Sequence, residues 1–149
     1  MNQQVITRTT RTPWYFWLLA VLALLWNAMG CFDYFMTQSH NESYLEQFSP
    51  EMLAFVDSFP QWVTTFWALG VWNGLLGSIT LLLRKQITVP IYIISCVSMV
   101  VVTIRNFGFS DGMDVMGSTF DLLFTGVMFL LAIAQILFAR AMVKCGILR

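Results

Sequence analysis

The sequence predicts an all-α membrane protein: an up-down-up-down bundle of four transmembrane helices, with a short amphipathic helix or helices in its first outer loop. Three observations lead there. First, 58% of the 149 residues are hydrophobic and only 11% are charged, whereas a soluble domain is usually about half apolar and about a quarter charged. Second, the apolar residues gather into four runs long enough to cross a hydrocarbon core of roughly 30 Å. Third, the charges are sorted by side. Asp33, Glu42, Glu46, Glu51, Asp57, Asp111, Asp114 and Asp121 fall in or beside the loops after the first and third runs. Arg8, Arg11, Arg84, Lys85, Arg140, Lys144 and Arg149 fall before the first, between the second and third, or after the fourth. Arg105 alone breaks the pattern. Basic residues mark the cytoplasmic side of membrane proteins, so both termini are expected inside. The zero net charge is the sum of one positive and one negative face.

The first span is expected at about 14–33. Pro13 suits a first helical turn, and Thr12 is a candidate cap. Trp14, Tyr15 and Trp17 form an interfacial anchor, and Arg8 and Arg11 hold the N-terminus inside. The stretch AMGC at Ala28–Cys31 faintly resembles a lipoprotein cleavage box, but bulky Met29 and the flanks disfavour processing.

The outer loop, 34–61, is acidic and free of Lys and Arg. Leu45, Phe48, Met52, Phe55 or Val56, and Phe59 recur at helical spacing, and Ser49-Pro50-Glu51 reads as a helix start. One or two amphipathic helices are expected, lying on the membrane surface or the bundle mouth. Asn41-Glu42-Ser43 matches a glycosylation sequon, relevant only to a luminal loop in a eukaryote.

The second span, about 62–83, ends at Arg84-Lys85, and the third, about 87–105, follows at once. So short a link makes them adjacent and antiparallel. The outer loop 106–119 holds FGFSDGMDVMG, whose Gly and Asp residues favour turns. The fourth span, about 120–139, runs into the basic tail.

Several polar and small residues stand out against this apolar background. Asn27 and Asn73 each follow a tryptophan and come near mid-depth on neighbouring antiparallel helices, so the two amides are expected within reach of each other. Amides buried in lipid usually act as glue between helices; the sharper reading is a polar floor under a substrate cavity. Gly70, Gly74, Gly77 and Ser78 form a smooth stripe that admits another helix backbone. Contact inside the bundle, with the third helix through Ser95 and Ser98, is the simpler use, and homodimerisation the alternative. Arg105 faces the same leaflet as Asp33 and Asp121, and a pair with either would neutralise it. That pair reads first as a bundle-closing lock and second as a gate or anion site. Asp121, Thr125, Met128, Ala132 and Gln135 follow the seam of a helix facing its neighbours.

The absences narrow the chemistry. No mid-membrane carboxylate suits a proton-coupled exporter. No HExxH, GxSxG or Walker motif occurs, and no paired histidines hold haem. His40, Glu42 and Glu46 lack metal-site geometry. Cys31, Cys96 and Cys145 lie in three different segments without a CxxC. The expectation is no metal, no cofactor, no nucleic acid and no enzymatic activity, with the lipid bilayer as the constant partner.

The segments LLWNAMGCFDYFMTQ, SFPQWVTTFWALGVWNGLLGS and LLLRK, together with the overall length, resemble short four-span bacterial inner-membrane proteins of unknown function, some of them labelled sugar transporters. That resemblance implies a bacterial inner-membrane location. It transfers no site residue. The functional expectation is a small non-enzymatic component, transport-related for a small polar solute, with Asn27, Asp33, Asn73, Arg105 and Asp121 lining a cavity or ion pair. The alternative is an accessory or assembly subunit that binds another membrane protein, or a second copy, through the Gly70/Gly74/Ser78 stripe or the outer loop.

Overall fold

A computed structural model describes residues 11–149; Arg8 lies outside them. Four long helices carry the fold: α1 (Trp14–Gln38), α4 (Gln61–Leu82), α5 (Thr88–Gly108) and α7 (Thr119–Lys144). Each is long and apolar enough to cross a membrane. Three short helices complete the chain: α2 (Glu42–Leu45), α3 (Pro50–Asp57) and α6 (Gly112–Met116). No strand occurs among the described residues. The four long helices alternate in direction, which gathers the basic residues from Arg11 to Arg149, Arg105 excepted, at one end and the acidic ones at the other.

Helix limits follow local chemistry. Ser49 caps α3, its hydroxyl accepting from the Met52 amide at 3.2 Å, with Pro50 in the first turn. Ser118 caps α7 in the same way through the Asp121 amide. At α1, however, Pro13 is itself the cap residue and no side chain caps the helix. Thr12 instead accepts a hydrogen bond from the Arg84 guanidinium at 3.2 Å. The α1 helix runs five residues past Asp33. Hydropathy ends there, but helix formation needs only backbone bonds, and Tyr34 packs edge-on against Trp67 at 5.0 Å.

Three helices end in the same turn. After α1, α4 and α7 the residue that follows the C-cap is left-handed: His40 (φ 50°), Arg84 (φ 56°) and Gly146 (φ 69°). Each turn carries the paired bonds of a Schellman motif, as in Gly146 N–H to Val143 and Ile147 N–H to Met142. Beyond Gly146 the chain folds back. Arg149 N–H donates to the Arg84 carbonyl at 2.7 Å, and Gln86 N–H to the Arg149 carbonyl at 3.1 Å. Leu148 is thereby fully buried, and the C-terminus pins the α4–α5 turn to the end of α7.

The tightest interface joins α4 to α5, and α1 lies on the other flank of α4. The main apolar cluster, Phe16, Ala20, Leu81, Tyr92, Ala139, Met142, Ile147 and Leu148, sits toward the basic end. There Phe16 stacks on Phe138 across the α1–α7 gap at 6.0 Å. The acidic-end half of α7 is packed far less: the buried residues of α7, Ala139 and Met142, both lie in its basic-end half, and a side chain at Gly126 would meet nothing within 4 Å.

Candidate functional site: a polar hub joining four spans

One polar side chain from each long helix converges at a single point. The Asn27 amide on α1 donates to Ser78 Oγ on α4 at 3.0 Å and to Gln135 Oε1 on α7 at 2.9 Å. It also reaches the Ala23 carbonyl of its own helix at 2.8 Å. An amide nitrogen carries two protons, so three acceptors leave one proton shared. Ser78 in turn donates to the Gly74 carbonyl or shares its proton with the Tyr92 hydroxyl on α5, each at 3.0 Å. Gln135 lies nine residues from the basic end of α7, about 14 Å up the helix. The hub therefore sits near the middle of a ~30 Å hydrocarbon layer. Every buried side-chain polar atom among the described residues has a partner, as a solvent without hydrogen bonds requires.

The glycines make room for this hub. A Cβ on Gly74 would lie on the Asn27 amide oxygen and 3.3 Å from Ser95 Oγ. On Gly77 it would lie 2.5 Å from the Tyr92 ring, and on Gly70 3.1 Å from Met99. Ser95 donates to the Gly70 carbonyl at 2.6 Å. Gly70, Gly74, Gly77 and Ser78 are all buried against α5 and α1. The stripe is consumed inside the bundle, and it is not open to a partner helix.

A cavity of about 30 Å³ adjoins the hub between α1, α5 and α7. Asn27, Tyr92, Ser95 and Gln135 supply its polar wall, and Trp26, Met99, Met128 and Ala132 the rest. That is room for a water or two, and far too little for a sugar.

The other expected site residues are scattered. Asn73 does not meet Asn27. It lies on the flank of α4, two of its near neighbours there being Leu69 and Leu76 at 41% and 46% exposed, and its amide donates back to the Leu69 carbonyl at 2.8 Å. The reason is angular: one residue along a helix is a rotation of about 100°, and Gly74 takes the position facing Asn27. Arg105 pairs with neither Asp33 nor Asp121 among the described residues. Its guanidinium stands over the rings of Phe55 and Phe59, 5.3 and 4.9 Å from their centroids, and reaches Asn106 Oδ1 at 3.4 Å. Asp33 instead accepts from the Tyr44 hydroxyl at 2.6 Å. Asp121 bonds the Ser118 hydroxyl at the start of its own helix. The cavity beside the hub is lined by Asn27 but by none of Asp33, Asn73, Arg105 and Asp121.

The acidic end is thus closed by aromatic rings. Phe55 meets Phe59 edge-on at 5.3 Å, Phe59 meets Trp67 at 6.3 Å, and Trp67 meets Tyr34 at 5.0 Å. Together with Arg105 they tie α3, α4, α1 and α5. An aromatic pair contributes about 0.5–1.5 kcal/mol beyond its buried area, and a cation over a ring about 0.5–2. The Tyr44 hydroxyl is pushed up to about 12 by burial, then by its hydrogen bond to Asp33 and that carboxylate's charge.

Among the described residues no group of His, Cys, Asp and Glu is arranged to hold a metal ion. The Cys31 thiol donates to the Val71 carbonyl at 3.1 Å, another contact between α1 and α4. No protein-family model, curated protein or solved structure matches the chain.

Proposed function

We propose that this small membrane protein is a non-enzymatic accessory or assembly component, which docks a membrane partner through the flank of α4 that carries Asn73. The observation that supports this reading most is how the polar groups are divided. The mid-membrane set is spent on joining the four helices, around a cavity of about 30 Å³. Asn73 faces the other way, with an amide oxygen that accepts no hydrogen bond among the described residues. An amide at a lipid-facing position gains from a polar partner on another helix, by about 0.6–2 kcal/mol. A bacterial inner-membrane setting with both termini cytoplasmic belongs to the same proposal, and the sorting of charges supports it.

The test is in-membrane photocrosslinking from positions 69 and 76, on either side of Asn73. Adducts of one defined mass should form there, and Asn73→Leu should abolish them while the fold stays intact. Their mass distinguishes a second copy from another protein. No adducts at either position removes the docking face.

A second reading is passage of a small polar solute. The polar cavity wall favours it, and so does the loosely packed acidic-end half of α7, which can swing without breaking a tight interface. Proteoliposomes that accumulate a labelled solute in an Asn27-dependent way would decide for it.

A further inference from the structure

An open recess lies at the basic end, between the start of α5 and the end of α7. It has a volume of about 380 Å³ and is lined by Gln86, Val89, Arg140, Val143 and Lys144. Arg140 and Lys144 are four residues apart on one face of α7, so their heads are neighbours. Neither makes an ion pair or hydrogen bond among the described residues. Two unneutralised cations sharing one recess repel each other unless an anion lies between them. The remaining wall is apolar, from Val89 and Val143, and one turn further into the span lies Leu137, 58% exposed.

We infer that this recess binds the headgroup of an anionic phospholipid. The phosphodiester sits between Arg140 and Lys144, the Gln86 amide supplies the proton left over from its 3.4 Å bond to the Leu148 carbonyl, and the acyl chains leave along Val89 and Leu137. Position decides for a lipid over a soluble anion. The recess sits where two membrane-spanning helices meet the headgroup layer, and its apolar wall continues into the hydrocarbon. Basic recesses between spans at this level are suited to acidic headgroups. The site is separate from the hub and from the Asn73 flank, so it stands whether or not either is functional.

The experiment is native mass spectrometry of the full chain with phosphatidylglycerol and phosphatidylcholine offered in equal amount. The wild type should retain one phosphatidylglycerol preferentially. Arg140→Gln/Lys144→Gln should lower that retention about 30-fold, which is about 1 kcal/mol for each of two cations. Lys85→Gln/Arg149→Gln removes the same charge from the same end but outside the recess, and should leave retention within about threefold of the wild type. Both pairs are exposed, and circular dichroism confirms that the variants fold. Equal loss in the two double variants, or equal retention of the two lipids by the wild type, overturns the site. Displacement of the lipid by millimolar inorganic phosphate overturns the choice of a lipid ligand.

Discussion

Gly77→Ala places one methyl group at the tightest point of the α4–α5 interface. The new Cβ would sit 2.5 and 2.6 Å from two Tyr92 ring carbons and 3.2 Å from a third. Ordinary carbon contacts are about 3.5–4.0 Å, so the ring or the helix must yield by about 1 Å. Tilting the ring breaks the 3.0 Å contact between Tyr92 and Ser78, a loss of about 0.6–2 kcal/mol in lipid. Overpacking adds about 1–3 kcal/mol. The substitution should therefore destabilise the fold by about 2–5 kcal/mol, read by steric trapping or by unfolding in mixed micelles with rising SDS. The same change made in a Tyr92→Ala background meets no ring, and should cost less than about 1 kcal/mol. The difference between the two backgrounds isolates the clash. Equal costs in both would refute the packing of Gly77 on Tyr92, and with it the register of α4 against α5.

Other substitutions probe the ends of the bundle. Arg105→Gln removes a cation from between two rings and should destabilise by about 1–3 kcal/mol, whereas Asp121→Asn should cost under about 1 kcal/mol; the same unfolding assay ranks them, and a larger effect at Asp121 restores an ion pair. Tyr44 has its folded-state pKa raised from 10 to about 12, so the folded state holds that proton more tightly. Its stabilisation is complete below about pH 10 and disappears as pH climbs to about 12. The alkaline loss of stability should be steeper in the wild type than in Tyr44→Phe, and identical slopes would exclude the bond to Asp33. His40→Gly relieves a left-handed residue at the end of α1 and should raise stability by up to about 1 kcal/mol; a drop in melting temperature would mean that His40 makes contacts of its own.

The class of fold was legible because lipid imposes it. Length, apolarity and the sidedness of charge are one-dimensional signals, and the four spans follow from them. The stripe of small residues was legible for a similar reason: Gly70, Gly74 and Ser78 share a face by spacing alone. Partners were harder. Asn27 and Asn73 look equivalent in sequence, each after a tryptophan near mid-depth, yet a rotation of one residue sends one inward and the other to the flank. Tyr92 and Gln135 carry a signal of their own, since each is a polar interruption within an apolar span and must find a partner. Arg105 shares its leaflet with carboxylates by sequence, yet it rests on aromatic rings in the structure. Phe55 and Phe59 come from a loop segment whose placement over α5 no local pattern encodes. The recess between Gln86 and Lys144 depends on the C-terminal fold-back, which brings distant residues together through backbone bonds that any side chain permits.

Asn27 joins α1 to α7 in the middle of the bundle, and the tie between the four spans depends on it. A double-mutant cycle on Asn27→Leu and Gln135→Leu measures that bond directly in the unfolding assay. A coupling of about 0.6–2 kcal/mol is expected, with the double variant closer to wild type than the sum of the two singles. Strictly additive losses would mean that the two amides do not touch, and that the four spans are not tied together there.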